Sequence, residues 1–301
     1  MSLLISPATS WSQGVIFVKH AKCAVASSVS VESDTPAEVC PSALPEAIGA
    51  YLAGSLAVAE MEIRKLRHDP TELFTRAVQP ALWLLIFGQA FSRIRAIPTG
   101  NVDYQTFMTP GILAQSMMFI AIFYGLSIIW DRDQGILQKL LAMPVPRAAF
   151  VTGKALGAGV RALAQVVIIL LLAVVLRLDL RWHLGRVALS MLTVVVGASF
   201  FATLSMIFAA LVKTRERFMG IGQVITMPLF FASNALYPIA IMPTWLQLLA
   251  TVNPLSYVVN LLRGYLLGGA MPQAGHDWLV LLGATVVIQV IAAKLYPRIV
   301  I

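Results

Sequence analysis

Residues Ala155 to Leu176 read ALGAGVRALAQVVIILLLAVVL, and the only charged side chain among them is Arg161. A helix that crosses the hydrocarbon core of a bilayer needs about 20 mostly apolar residues. This stretch supplies that length and contains no helix-breaking proline. It therefore predicts a transmembrane helix, and Arg161 is expected to extend its long side chain to the nearby membrane surface.

The composition of the whole chain agrees with a membrane protein. Of the 301 residues, 58% are hydrophobic and 12% are charged, and the net charge is +8. Soluble globular proteins carry roughly 25% charged residues, and disordered chains combine low hydrophobicity with high charge, so both classes are excluded. The basic residues flank apolar segments and form no basic face, which makes them markers of topology and argues against a nucleic-acid partner.

Six apolar segments approach the length of a membrane span, which predicts an all-α, polytopic membrane protein. The first segment is the least apolar, because Arg76, Gln79 and Pro80 lie within it. The predicted spans are residues 73–92, 107–130, 155–176, 187–212, 218–240 and 278–296.

The distribution of Lys and Arg predicts the orientation of these spans. Both residues are more frequent in the loops on the side of the termini than in the loops on the opposite side. Positively charged loops stay in the cytoplasm, and six spans place both termini on one side. The sequence therefore predicts a multi-pass protein of the cell inner (plasma) membrane, with both termini cytoplasmic and membrane lipids as its surroundings.

The first 48 residues show neither a hydrophobic period nor the continuous apolar core of a signal peptide. We interpret residues 1–48 as a flexible extension. Its two cysteines, Cys23 and Cys40, lack the spacing of a metal site, and no metal is expected. From Ala50 to Arg76, charged and apolar residues are mixed, which predicts an amphipathic helix at the membrane surface.

A long stretch after residue 217 has Arg263 as its only charged residue before Asp277, so its length would allow two crossings. Asn253-Pro254 interrupts the stretch and leaves helical fragments of about ten residues, near 15 Å, which is half of the hydrocarbon thickness. A seventh crossing would also export the basic residues near the C-terminus. We therefore expect residues 245–267 to form a re-entrant helical hairpin in the outer leaflet, between spans five and six.

The loop between the second and third predicted spans carries leucines at helical spacing. Leu137, Leu140 and Leu141 would form one apolar face of a short helix that ends before Pro144. Such a helix suits docking into a groove of a partner protein. The alternative is that it lies on the lipid surface.

Two separated motifs of this chain are similar to those of a known family. The first is Asp131-Arg132-x-x-Gly135-x-Leu137-x-x-Leu140, followed by Pro144-x-x-Arg147 and Gly153-Lys154; the second contains Asn234, Tyr237-Pro238, Asn253-Pro254 and Arg263. From residue 49 to residue 301 the chain resembles the membrane subunits of ABC-2 type exporters, in the daunorubicin-resistance-permease-like group. Where the family usually has Glu in the first motif, this chain has Asp133.

The resemblance implies that the first motif couples the chain to a separate cytoplasmic ABC ATPase subunit. Asp131, Arg132 and Asp133 would orient the loop through charge pairs, while Leu137 and Leu140 would supply the apolar contact. The Gly-Lys pair of the motif lacks the first glycine and the hydroxyl residue of a phosphate-binding loop. ATP and Mg²⁺ are therefore expected on the partner ATPase, with no cofactor in this chain.

The resemblance also implies a second permease copy or a homologue, because six spans are half of the usual transporter complement. Gly153 and Gly157 have the small-residue spacing that allows close helix contact, which makes them candidates for the dimer face. Asn234 and its neighbours in the second motif are candidates for the translocation path at the outer hairpin. The implied substrate is an amphiphilic drug, a lipid or a lipid-linked glycan.

Other classes of function are less well supported by the residues. No span contains Asp or Glu, and the 4 histidines lie in tail or loop positions, so no catalytic site is expected. The same lack of acids argues against an ion-coupled secondary carrier, which stays an alternative together with a non-transporting membrane scaffold. Gln115, Gln165 and Gln223 lie at membrane depth, where they either hydrogen-bond between helices or line a cavity.

Overall fold

The computed structural model describes residues 43–68, 71–94, 102–135, 147–212, 214–268 and 271–295. Within these ranges every regular element is a helix, as the sequence predicts. The described residues from Pro45 onward belong to one compact unit. Residues 1–42, which make up most of the predicted extension, lie outside the described part of the chain.

The described helices follow one another with short connections. We number them α1 (Ala43–His68), α2 (Thr71–Leu82), a π-helical segment (Trp83–Phe87), α3 (Gly88–Ile94), α4 (Tyr104–Tyr124), α5 (Leu126–Asp133), α6 (Arg147–Val175), α7 (Leu184–Leu211), α8 (Arg215–Phe231), a 3-10 turn (Ile239–Ile241), α9 (Thr244–Val252), α10 (Pro254–Leu267) and α11 (Ala274–Leu295).

Four helical stretches of the described residues are long and apolar enough to cross a membrane. They are Tyr104–Asp133, Ala148–Val175, Leu184–Leu211 and Ala274–Leu295, and they coincide with the second, third, fourth and sixth predicted spans. The first predicted span falls on α2, the π-helical segment and α3, and the fifth falls on α8, which has 17 residues.

α4 and α7 form the centre of the bundle. α4 is buried at every position from Met108 to Met118, as expected for a helix that is apolar on all sides. α7 packs against α4, α6, α10 and α11. Buried hydroxyl groups on α7 find carbonyl acceptors: Thr193 and Thr203 donate one turn back along the helix at 2.8 and 2.7 Å, and Ser205 donates to the Ile122 carbonyl of α4. Polar side chains are therefore accommodated here without unpaired hydroxyl groups.

The outer surface of the bundle is apolar. Leu171 on α6 is 60% exposed, and Leu279 on α11 is 72% exposed. Exposed apolar area on this scale suits contact with lipid chains. The surface therefore agrees with a membrane-embedded protein.

α9 and α10 are two short helices separated by Asn253. The Asn253 side chain accepts a hydrogen bond from the backbone N–H of Leu255 at 3.0 Å, and Pro254 occupies the first turn of α10. This is the usual chemistry of a helix start. With 9 and 14 residues, the helices extend about 14 and 21 Å at 1.5 Å per residue. Each is shorter than the roughly 30 Å hydrocarbon core.

The bundle has two ends with different chemistry. The charged end contains the C-terminus of α5 and the N-termini of α6 and α8, where Asp133 is paired with Arg215 at 2.7 Å. The opposite end contains the α6–α7 connection, the C-terminus of α10 and the N-terminus of α11. There the backbone N–H of Arg181 donates to the Leu266 carbonyl at 2.8 Å.

Candidate functional site

A fully buried lysine lies at the charged end of the bundle. The side chain of Lys154, in the second turn of α6, is 0% exposed. Its Nζ lies 2.7 Å from Oε1 of Glu62 on α1 and 2.6 Å from Oδ2 of Asp131 on α5. A buried ammonium is tolerated only when it is paired and hydrogen-bonded. Lys154 therefore joins three separate segments of the chain at one point.

Two further cations surround the same carboxylates. Lys65 Nζ lies 3.5 Å from Glu62 and 3.3 Å from Asp131. Arg161 Nη2 lies 3.3 Å from Oε2 of Glu62. We call Glu62, Lys65, Asp131, Lys154 and Arg161 the ion cluster. It accounts for the charge of both buried carboxylates.

The cluster controls the ionisation of Glu62. Burial of this carboxyl raises its pKa, but the positive charges of Lys154, Lys65 and Arg161, together with the hydrogen bond from Lys154, outweigh burial and hold the pKa below its ordinary value. Glu62 is therefore ionised at neutral pH. An ionised Glu62 keeps α1 bound electrostatically to α6.

α1 reaches this position because two glycines on α6 leave room for it. A methyl group on Gly153 would lie 2.6 Å from Cβ of Val58 and 2.7 Å from the Ser55 carbonyl. On Gly157 it would lie 2.7 Å from Cβ of Glu62. The expectation that these glycines form a dimer face is wrong, because α1 of the same chain occupies the space beside both.

The acidic residues of the first motif are paired within the chain. Asp131 is 5% exposed and belongs to the ion cluster. Asp133 accepts two hydrogen bonds from Arg215, whose guanidinium lies 3.7 Å from the centre of the Trp130 ring. If these carboxylates are to orient a partner protein, the partner has to compete with the cations that already pair with them inside the chain. Arg132 lies 3.8 Å from the Asp133 carboxylate and is partly exposed.

Other residues of the first motif mark the boundaries of the loop. Gly135 has φ +69°, a left-handed conformation that favours glycine, and it lies two residues after the end of α5. Arg147 is the first residue of α6. Leu137, Leu140 and Pro144 lie outside the described residues.

The partner of Lys154 was missed in the sequence, although a signal was present. Ser55, Val58, Ala59 and Glu62 are all buried and follow one another at helical spacing. Glu62 therefore lies on the inward stripe of α1. An acid on the apolar stripe of an amphipathic helix indicates a buried cation elsewhere in the chain.

A second feature lies between α2, α4 and α8. A cavity of about 260 Å³ is lined by Gln79, Gln115, Gln223 and Arg76 together with the aromatic residues Phe119 and Phe123. We call it the glutamine cavity. Gln115 is 2% exposed, and its Oε1 atom has no hydrogen-bond partner. Two of the three glutamines singled out in the sequence therefore share one cavity.

The residues of the second motif hold the chain around α8 and α10 together. Asn234 is 2% exposed, and its Nδ2 donates to Oδ1 of Asn260. The backbone carbonyl of Asn234 accepts a hydrogen bond from Arg263 Nη2 at 2.8 Å. Nδ2 of Asn253 donates to the Leu229 carbonyl at 2.6 Å. Tyr237 donates to the Phe231 carbonyl at 2.7 Å.

Neither the glutamine cavity nor the cavity at the opposite end of the bundle includes Asn234, the residue predicted for the translocation path. Asn253-Pro254 forms the start of α10, and Pro238 precedes the 3-10 turn. Arg263 lines the cavity at the opposite end of the bundle.

Comparison with known sequences gives the family. The sequence model of the ABC-2 type transporter family matches residues 55–267. The chain belongs to this family. The match includes the ion cluster, the glutamine cavity and Arg263, so these features lie within the transporter domain.

Relatives of this permease carry names from drug resistance and transport. It is 30% identical over 203 residues to a putative transport permease, ycf38, of Cyanophora paradoxa, covering 66% of this chain and 69% of the relative. It is 28% identical to the daunorubicin resistance ABC transporter permease protein DrrB1 of Streptomyces coeruleorubidus, covering 68% and 71%. It is 23% identical to the probable doxorubicin resistance ABC transporter permease protein DrrC of Mycobacterium tuberculosis, covering 77% and 84%.

Proposed function

We propose that this chain is the membrane subunit of an ATP-driven exporter that moves an amphiphilic drug, lipid or lipid-linked glycan out of the cytoplasm. The observation that carries the proposal is the glutamine cavity. Amide groups are costly within a bilayer and mark substrate paths when they face a cavity. The aromatic rings of Phe119 and Phe123 add an apolar wall. A ligand with both polar and apolar groups fits such a lining.

The unsatisfied amide of Gln115 supports a cavity that binds a ligand. If the glutamines only joined helices, their buried oxygens would be hydrogen-bonded. Oε1 of Gln115 has no such partner. A second permease copy would add its own cavity, and the complete path would lie between the two copies.

Six spans and an outer hairpin agree with the described helices. Two further spans would be formed by the continuous helical stretch from α2 through the π-helical segment to α3, and by the 17-residue α8. α9 and α10 are short enough to enter and leave one leaflet. In this arrangement the charged end lies on the cytoplasmic side of the inner membrane, as the basic loops predict, and both termini lie on that side.

A separate ABC ATPase subunit would bind ATP and Mg²⁺ and engage the loop after Gly135. Movement of that loop would pull on the C-terminus of α5. Asp131 transfers the displacement to Lys154, and Glu62 transfers it to α1, because the three side chains are linked at 2.6 and 2.7 Å. The ion cluster would thus make α1, α5 and α6 move together, while Leu137 and Leu140 supply the contact with the ATPase.

The proposal is tested by reconstituting the permease with its ATPase in inverted vesicles. The probe is daunorubicin, chosen because one relative is named for resistance to it. The wild-type complex is expected to take up daunorubicin only with ATP. Leu137→Asp with Leu140→Asp should abolish both stimulated ATP hydrolysis and uptake, because charges replace the apolar contact, while membrane insertion continues. Gln138→Asp, on the neighbouring polar position, is the matched control and should retain both.

A second variant in the same assay addresses the cavity. Gln115→Leu with Gln223→Leu removes two amides worth roughly 1 kcal/mol each, so uptake should fall about thirtyfold. Val224→Leu is the control, because Val224 is next to Gln223 and 72% exposed. Uptake without any ATPase would indicate an ion-coupled carrier. Absence of both uptake and stimulated hydrolysis for every form would indicate a scaffold, and either result would overturn the proposal.

A further inference from the structure

The opposite end of the bundle contains a cavity of about 480 Å³ between α4, α10 and α11. Arg263 and Asn260 on α10 and Asp277 on α11 line it, and Phe107, Leu267 and Met271 provide apolar walls. We call it the arginine cavity. It is distinct from the glutamine cavity, and transport as proposed above does not use it.

Arg263 is only partly satisfied by the protein. One nitrogen, Nη2, donates to the Asn234 carbonyl at 2.8 Å, and the guanidinium lies 4.1 Å from the centre of the Phe107 ring. Nε is buried and has no hydrogen-bond partner. No described carboxylate forms an ion pair with Arg263. A partly buried guanidinium with an unpaired donor retains the capacity to bind an anion.

A second arginine strengthens the positive field beside this cavity. Gly268 on the cavity wall has φ +76° and ends α10. A methyl group there would lie 2.6 Å from Nη1 of Arg186, and the side chain of Arg181 lies beside it as well. Nη1 of Arg186 is also buried without a partner. Two arginines with unpaired buried donors therefore approach the same wall.

One carboxylate faces the same space. Asp277 is 5% exposed and lines the cavity. Nδ1 of His276 lies 3.6 Å from its carboxylate, and Asn260 hydrogen-bonds to it. Asp277 and Arg263 border one cavity without pairing with each other. A purely anionic ligand would be repelled by Asp277, whereas a ligand with both a negative and a positive group would match both walls.

We propose that the arginine cavity binds a zwitterionic phospholipid headgroup, with the phosphate on Arg263 and a primary ammonium on Asp277. Phosphoethanolamine has this chemistry. A lipid is favoured as its source because Leu279, two residues after Asp277, is 72% exposed and apolar, so acyl chains have a surface to follow from the cavity. The proposal requires a bilayer around the bundle but not ATP-driven export.

The test measures lipid binding by the full-length chain, purified in detergent without any ATPase. Phosphatidylethanolamine, phosphatidylglycerol and phosphatidylcholine with identical acyl chains are titrated, and bound lipid is counted by native mass spectrometry. Phosphatidylethanolamine should bind about tenfold more tightly than the other two, because only its headgroup carries a positive charge with N–H donors for a charge-assisted hydrogen bond to Asp277. Equal binding of the three lipids would overturn the proposal.

Variants assign the two charges separately. Arg263→Gln should weaken phosphatidylethanolamine binding about tenfold or more, and Arg263→Lys should restore part of it. Asp277→Asn should abolish the preference for phosphatidylethanolamine over phosphatidylglycerol while binding of the phosphate persists. Arg217→Gln, which replaces an exposed arginine at the charged end, is the matched control and should bind as wild type. Unchanged affinity in folded Arg263→Gln would contradict the assignment.

Soluble compounds distinguish the possible sources of the headgroup. O-phosphoethanolamine should compete only weakly, because it lacks the acyl chains, and inorganic phosphate should compete more weakly still. Competition by O-phosphoethanolamine at the affinity of the lipid would show that the site takes a soluble ligand and would overturn the lipid assignment. Equal competition by inorganic phosphate would overturn the role of Asp277.

Discussion

Lys154 is a fully buried cation and Arg263 a partly buried one, at opposite ends of the same bundle, and their surroundings differ. Lys154 has two carboxylates within 2.7 Å. Arg263 has one carbonyl and one aromatic ring, and its Nε is unpaired. The first environment satisfies the charge completely and fixes three segments relative to one another. The second leaves binding capacity unused. Burial of a charge alone therefore does not reveal its role, whereas the identity of its partners does.

The difference predicts unequal costs when either cation is removed. Lys154→Met removes the nearest cation from the buried carboxylates of Glu62 and Asp131 and leaves them only the more distant, partly exposed Lys65 in common, and breaking a buried pair in this way costs about 3–5 kcal/mol. Arg263→Gln leaves no carboxylate unpaired and should cost clearly less. Thermal unfolding in detergent, followed by tryptophan fluorescence, measures both. A larger loss for Arg263→Gln would reverse the comparison.

Acid should weaken the charged end through Glu62. Its pKa is lower in the folded protein than the ordinary 4.5, so the stability it contributes is present above the unfolded value and is lost as pH falls through the folded value. Glu62→Gln should remove this part of the acid sensitivity and lower stability at neutral pH by roughly 1–3 kcal/mol.

The matched control for this measurement is Glu60→Gln. Glu60 lies on the same helix, and its pair with Arg64 is exposed, with side-chain exposures of 63% and 74%. The Glu60→Gln protein should therefore keep the acid sensitivity of the wild type. If Glu62→Gln and Glu60→Gln gave the same stability profile from neutral to acid pH, Glu62 would not be the group responsible.

Local composition was sufficient to predict the apolar helices and the break at Asn253-Pro254. Both depend on properties that neighbouring residues share: a run of apolar side chains, or a capping residue followed by proline. The four long helices lie where the sequence places them. The two short helices α9 and α10 are also separated where predicted.

The side-chain contacts at the two ends of the bundle could not be predicted from local composition. Lys154 and Glu62 are 92 positions apart, and nothing in either neighbourhood selects the other. Gly153 and Gly157 indicated a close helix contact but not the identity of the helix, which proved to be α1. Arg263 stood out as an isolated charge, yet its unpaired Nε depends on how Asn234 and Phe107 are placed by the fold.

The smallest expected loss of stability comes from breaking the exposed ion pair between Asp133 and Arg215. Comparing it with the loss of Lys154 distinguishes an exposed from a buried ion pair at the charged end. The side chains of Asp133 and Arg215 are 39% and 36% exposed. Asp133→Asn should cost at most about 1 kcal/mol, and added salt should reduce the difference further because it screens exposed charges. The Lys154→Met defect should persist in high salt, since its carboxylates are shielded from solvent ions. Unfolding midpoints of both variants at low and high salt test this contrast, and a salt-insensitive loss of several kcal/mol for Asp133→Asn would show that this pair, too, behaves as a buried one.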